Sequence, residues 1–159
     1  MHFICQQHQQ QLHQKSFQDL SGQWFDWMSQ ASVYYELGLN REVLAYAGSA
    51  IDLSLILIGK ADLEQQAAAA KKLVLACIYL TNSLVKAGEF DKAKLYQSIY
   101  YDVLQKYCYK LDKQELIDDI EYCLEVLINH EQHFDFFESH LNLAFQPIEF
   151  PSHYGQRLH

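Results

Sequence analysis

The chain has 159 residues, of which 50% are hydrophobic and 14% aromatic, enough for one domain with a sizeable core. Only 6 Gly and 2 Pro occur, which argues against a turn-rich barrel or sandwich, and the aromatic content argues against disorder. The formal net charge is -8, a sign that disfavours nucleic acid or an anionic membrane surface as a partner.

The N-terminal half of the sequence predicts an arm followed by two helices. Residues 1–21 are rich in Gln and His and are expected to form an arm or a short helix. Apolar residues at spacings of three and four predict the first strong helix over residues 23–37, which Gly38 ends. Asn40 is the predicted N-cap of the next helix, residues 41–58.

The second of these helices is the nearest approach to a membrane span. Its apolar part, residues 43–58, is short and carries Asp52 in its middle. A span needs about 20 apolar residues, and a central Asp costs about 3 kcal/mol in a bilayer. Residues 1–14 also lack the basic and apolar regions of a secretory signal. We therefore expect core helices, no membrane partner and a cytoplasmic protein.

A long helix over residues 62–87, capped by Asp62, is predicted to be the centre of the core. Residues 73–80 within it contain no charged side chain and are apolar on every side. Such a helix must be surrounded by other helices. The side chains that we predict to be buried there are Leu73, Val74, Cys77, Ile78 and Leu84.

The C-terminal part of the sequence predicts three more elements. A helix over residues 90–107 is followed by one over 112–130, which Asp112 and Glu115 open as a capping box. A last helix is predicted over residues 133–145. The domain boundaries that follow are an arm over 1–21, one helical domain over 22–146 and an irregular tail over 147–159.

A weak internal repeat relates the first two helix pairs. Residues 34–46 align without gaps on residues 84–96, and in both copies a Gly ends one helix and a Tyr follows eight residues later. The turn of the second copy, with Gly88, Glu89, Phe90 and Ala93, resembles that of a tetratricopeptide repeat. The fold class that this predicts is all-α, with about five to seven helices in antiparallel pairs stacked as a right-handed array. A plain helical bundle is the alternative.

The resemblance implies a scaffold that binds a peptide or protein and performs no chemistry. In such arrays the first helix of each pair lines a concave surface. Asn82 and Lys86 lie four residues apart on one of these helices, where the amide can bind a peptide backbone and the ammonium a carboxylate. The aligned positions on the other such helix are Ser32, Tyr35 and Glu36.

The net charge is concentrated in the last third of the chain. Residues 1–110 hold 10 basic and 10 acidic side chains, whereas residues 111–159 hold two basic and ten acidic ones. This segment is interpreted either as a solvated surface or as a docking face for a basic partner. The candidate docking residues on the helix after residue 112 are Asp118, Asp119, Glu121 and Glu125.

The Cys and His residues supply the main alternative function. All eight His lie near the termini, and Cys5 and His8 have a spacing that zinc ligands permit. This favours a metal-binding or thiol-dependent sensor, whereas the other three cysteines, Cys77, Cys108 and Cys123, are expected to pack in the core.

The leading prediction is a non-enzymatic interaction module with no cofactor. No phosphate loop or nucleophile elbow occurs in the sequence. The predicted partner is a protein or peptide, with a basic one favoured by the acidic segment. A homo-oligomer whose exposed aromatic residues form its own interface is the third interpretation.

Overall fold

The computed structural model describes residues 2–111 and 113–129, which form six α-helices and no strand. The helices, in chain order, are α1 (Gln6–His13), α2 (Phe17–Glu36), α3 (Asn40–Lys60), α4 (Gln66–Lys86), α5 (Phe90–Cys108) and α6 (Gln114–Asn129). The prediction of an all-α protein is confirmed for this part of the chain. The capping role of Asp112, the helix predicted over 133–145 and the tail over 147–159 lie outside the described residues.

The core is built around α4, which packs against α2, α3, α5 and α6. Every residue from Leu73 to Leu84 is buried, so the prediction of a central helix is confirmed. Burial on all sides follows from its sequence, because no charged side chain interrupts the stretch between Lys72 and Lys86.

Helices α2, α3 and α4 begin at other residues than the sequence predicted. Asn40, the predicted N-cap of α3, is the first residue of that helix, and Leu39 is its N-cap. Ser16 accepts a hydrogen bond from the backbone N–H of Asp19 (3.1 Å), so α2 begins at Phe17 and not at residue 23. Weak apolar periodicity hid its first turns. The carboxylate of Asp62 and the amide of Gln65 bond reciprocally to each other's backbone N–H, at 3.0 and 3.1 Å. They close a turn ahead of α4, which begins at Gln66.

The two aligned helix pairs turn in the same way. Gly38 and Gly88 both have positive φ, 73° and 79°, a conformation that glycine adopts without steric cost. The backbone N–H that follows each glycine donates to the carbonyl five residues earlier, from Leu39 to Tyr34 (2.9 Å) and from Glu89 to Leu84 (2.8 Å). The local geometry therefore repeats with the sequence offset of 50 residues.

The N-terminal arm is held by a buried carboxylate on α3. The side chain of Asp52 is only 1% exposed, and its Oδ2 accepts hydrogen bonds from the backbone N–H of Phe3 (2.5 Å) and Ile4 (2.8 Å). The imidazole of His2 lies 3.7 Å from Oδ1. A buried carboxylate needs such partners because desolvation is costly. Asp52 therefore ties the arm to the helical core.

The ring of Phe3 fills the space above Gly48 in the same helix. A methyl group at position 48 would overlap the Phe3 ring. The ring also lies 5.8 Å, centroid to centroid, from that of Tyr96 in α5. Phe3 thus contacts both α3 and α5, and a glycine at position 48 is what permits the close approach.

Helices α3 and α4 are long and apolar enough to cross a membrane by length and composition alone. In their most apolar windows, 56% of α3 and 78% of α4 is buried inside the protein. The two helices pack against each other, which favours their interpretation as core helices.

We predict that truncation of the central helix costs far more stability than the same truncation on the surface. Leu73→Ala removes a fully buried side chain, so the free energy of unfolding should fall by about 2–5 kcal/mol. Leu95→Ala, at a side chain that is 51% exposed on α5, is the matched control. Urea unfolding followed by circular dichroism measures both, and equal losses would contradict a core centred on α4.

Two glycine substitutions in α3 should have opposite effects. Gly59→Ala meets nothing within 4 Å and should stabilise the helix by about 0.5–1 kcal/mol. Gly48→Ala should displace Phe3, lower the free energy of unfolding and expose the amides of Phe3 and Ile4. Amide hydrogen exchange checks this directly. Unchanged protection of both amides would show that the arm does not depend on Gly48.

Candidate functional site

Helices α2 and α4 meet along two stripes of side chains, which we call the α2/α4 seam. On α4 the stripe recurs at spacings of three and four residues and consists of Lys72, Leu75, Tyr79, Asn82 and Lys86. On α2 the corresponding stripe consists of Trp24, Met28, Ala31 and Tyr35. All of these side chains except the two lysines are buried. The seam is therefore buried along its length, mostly by apolar and aromatic side chains, and carries a cation at each end.

Each lysine of the seam lies over an aromatic ring of α2. The Nζ of Lys72 is 5.4 Å from the ring centroid of Trp24. The Nζ of Lys86 is 3.7 Å from the ring centroid of Tyr35. An ammonium group over the face of an aromatic ring is attracted by the ring quadrupole. The two pairs also show that α2 and α4 run in the same direction.

The middle of the seam is filled by Tyr79. Its ring packs edge-on against that of Tyr35, with centroids 5.4 Å apart. Burial raises the pKa of the Tyr79 hydroxyl, and a hydrogen bond with Ser32 opposes this shift. Ser32 and Tyr35 are therefore structural neighbours as well as members of the predicted binding surface.

The seam brings the predicted groove residues together but buries most of them. Ser32, Tyr35 and Asn82 are 7%, 3% and 4% exposed, whereas Glu36 and Lys86 are exposed. The Nδ2 of Asn82 finds no acceptor within the described part of the chain. A ligand at this end therefore has direct access to Glu36 and Lys86, with the other three residues beneath.

An open cleft lies at the other end of the seam. It has a volume of about 280 Å³ and is lined by Trp24, Glu64, Ala67, Ala68, Lys71, Lys72 and Leu75. Burial lowers the pKa of the Lys72 ammonium. The Nε1 of Trp24 is buried and finds no acceptor among the described residues. The cleft therefore combines the ammonium groups of Lys71 and Lys72 and the carboxylate of Glu64 with an apolar wall.

The start of α4 adds a positive field to this cleft. The cleft includes Ala67 and Ala68, which belong to the first turn of α4, and this turn contains no acidic side chain. The N-terminus of a helix carries partial positive charge from its unsatisfied N–H groups. Sequence analysis missed the cleft, although Lys72 and Trp24 lie on the same stripes as Lys86 and Tyr35.

The acidic residues predicted as a docking face on α6 do not share one surface. Asp118, Glu121 and Glu125 lie on one side of the helix at spacings of three and four. Asp118 accepts a hydrogen bond from Gln114 (2.8 Å). Asp119 lies on the side of Cys123, whose pKa burial raises to about 12, with Lys71 of α4 opposing the shift and Asp119 adding to it. Asp119 therefore belongs to the side of α6 that faces α4.

The three cysteines expected in the core differ in exposure. Cys77 and Cys123 are buried, as predicted. Cys108 is half-buried, packs against the edge of the core and lines a cavity between α5 and α6, so the predicted core position is confirmed only in part for this residue. Its place near the end of α5 turns it towards the gap between the two helices.

The predicted metal ligands lie at the start of the chain. Cys5 is exposed at the N-cap of α1, and the ring of His8 packs edge-on against that of Trp27 with centroids 6.0 Å apart. No group of three His, Cys, Asp or Glu side chains that could hold a metal occurs among the residues described. Residues 130–159, which carry five of the eight His, lie outside them. A zinc site at Cys5 and His8 stays a prediction.

Comparison of the chain with models of known protein families, with curated proteins and with solved structures finds no match.

The buried tyrosines predict a loss of stability in base. Burial raises the pKa of Tyr79 and Tyr100 above the value of about 10 that an unfolded tyrosine has. Their contribution to stability is full below pH 10 and is lost as the pH rises towards their folded-state values, because the unfolded chain releases these protons first. Urea unfolding between pH 8 and pH 11.5 measures the decline. Tyr100→Phe should make it shallower, and a decline that is unchanged in this variant would assign it to other groups.

Proposed function

We propose that the protein is a non-enzymatic interaction module, similar to a tetratricopeptide array, that binds a carboxylate-bearing peptide of a protein partner along the α2/α4 seam. The cleft at Lys71, Lys72 and Trp24 is the observation that carries this proposal. Two ammonium groups and the first turn of α4 both favour an anionic group there. The repeated turns at Gly38 and Gly88 support the relation to helical repeats.

The length of the seam suits an extended segment. Lys72 and Lys86 are fourteen positions apart on one helix, which corresponds to about 21 Å at 1.5 Å per residue. An extended peptide covers this distance with about six residues at 3.3–3.6 Å each. The preferred ligand therefore carries acidic groups about six residues apart, one for the cleft and one for Lys86.

A single substitution in the cleft tests whether the bound ligand carries negative charge. Glu64 is the acidic residue that lines it, opposite Lys71 and Lys72. A carboxylate ligand must approach against this like charge, so Glu64→Gln should strengthen binding. A purely structural role of the lysines predicts no such gain.

The experiment is titration with an acetylated hexaglutamate peptide in a Trp27→Phe background. Trp24 is then the single tryptophan and reports on its own cleft, since the chain contains 2 Trp. We expect a saturable change of its fluorescence that weakens with salt. Lys71→Gln together with Lys72→Gln should weaken binding about tenfold or more, which is the effect of losing two charge-assisted contacts.

Matched control variants separate local recognition from overall charge. Lys94→Gln together with Lys106→Gln removes the same charge from exposed positions on α5 and should change the affinity less than about twofold, as exposed charges contribute little individually. Equal losses in the two double variants, or no gain with Glu64→Gln, would contradict binding in the cleft.

A further inference from the structure

A groove between α5 and α6 is lined by acidic side chains, in contrast to the lysine-lined cleft of the α2/α4 seam. Gln97 of α5 donates a hydrogen bond to the backbone carbonyl of Leu127 in α6 (2.8 Å) and joins the helices at one end. Beyond this contact a cavity of about 390 Å³ opens, lined by Tyr101, Gln105, Cys108, Tyr109, Glu121, Leu124, Glu125 and Ile128. A neighbouring cavity of about 200 Å³ shares Tyr101 and Ile128, and we call the two cavities together the α5/α6 groove.

The lining of the α5/α6 groove combines acids with aromatic rings. Asp102, Glu121 and Glu125 contribute carboxylates, and no Lys, Arg or His occurs among the described residues that line it. Tyr101 and Tyr109 provide the aromatic walls. The field of Glu121 extends into the groove, since it adds to the burial that raises the pKa of Cys108.

Several of these side chains offer an apolar surface that is open to a partner. Tyr109 is 81% exposed and Ile128 is 50% exposed. A guanidinium group suits such a lining, because it pairs with carboxylates through its planar fork and stacks on aromatic faces. A phosphate-bearing ligand would be repelled by the same three carboxylates.

We propose that the α5/α6 groove binds an arginine-rich segment of a protein partner. Carboxylates of Glu121 and Glu125 would pair with guanidinium groups, and the ring of Tyr109 would stack on one of them. From Ser98 to Cys108 the groove follows eleven residues of α5, or about 16 Å, which matches about five residues of an extended peptide. This site differs in residues and in ligand charge from the α2/α4 seam and does not depend on it.

The test is titration with an acetylated, amidated decapeptide of alternating Arg and Ser, followed by calorimetry. Binding should be saturable and should weaken steeply between low and physiological salt. Glu121→Gln together with Glu125→Gln should lower the affinity about tenfold or more. Asp26→Asn together with Asp91→Asn removes the same charge from exposed positions outside the groove and should lower it less than about twofold.

Two further measurements locate the peptide. Tyr109→Leu should weaken binding about threefold or more, whereas Tyr109→Phe, which keeps the ring, should bind within about twofold of the original protein. The peptide should also slow alkylation of Cys108 by N-ethylmaleimide and leave that of the exposed Cys5 unchanged. Circular dichroism confirms that each variant is folded.

The outcomes that overturn the proposal are defined by the same measurements. Absence of binding at millimolar peptide, equal losses in the two double variants, or unprotected Cys108 would each exclude the α5/α6 groove as an arginine site. Equal protection of Cys108 by a peptide with Glu in place of Arg would exclude recognition by charge in this groove. None of these results bears on the acidic ligand proposed for the α2/α4 seam, whose probe and variants are separate.

Discussion

The burial of α4 on all sides is the constraint on which the rest of the structure depends. Its stretch from Leu73 to Leu84 is uncharged and can be removed from water only if other helices cover every face. Helices α2, α3, α5 and α6 supply that cover. The hydroxyl of Thr81, one of the polar groups in this stretch, donates a hydrogen bond within the helix to the carbonyl of Ile78 (3.2 Å).

The burial of α4 also determines where charged side chains can be placed. Lys72 and Lys86 stand at the two limits of the uncharged stretch, and each reaches out of the core over a ring of α2. On the other side of the core, the acids of α6 at Glu121 and Glu125 border the groove with α5. Among the described residues, the chain with a net charge of -8 thus has one recess lined by two lysines and another lined by glutamates.

Residue spacing predicted five of the six described helices and the centre of the core, because both depend on local patterns, but it left α1 undecided and missed the first turns of α2. The turns at Gly38 and Gly88 could also be predicted from the sequence, since only glycine adopts positive φ without strain. The anchoring of the arm could not be predicted, because Asp52 accepts hydrogen bonds from backbone N–H groups, which every residue except proline has. Its partners also lie nearly fifty residues away along the chain.

The candidate sites were predictable only in part for a related reason. Spacing placed Asn82 and Lys86 on one face, but it could not show that Tyr79 fills the surface beside them. Likewise it grouped Asp119 with Asp118, although neighbouring positions on a helix point about 100° apart. The recesses themselves arise between helices, from the fit of α2 with α4 and of α5 with α6, and depend on packing that no single segment contains.

The contact between Phe3 and Gly48 joins two positions that are 45 residues apart in the sequence. Because an aromatic ring occupies the space of a missing side chain, neither position can vary alone without leaving an overlap or a void. A chain of this fold with Ala or Ser at position 48 should therefore carry a smaller residue at position 3. Covariation between these two positions, with Asp52 retained, would mark the docked arm in any set of related sequences.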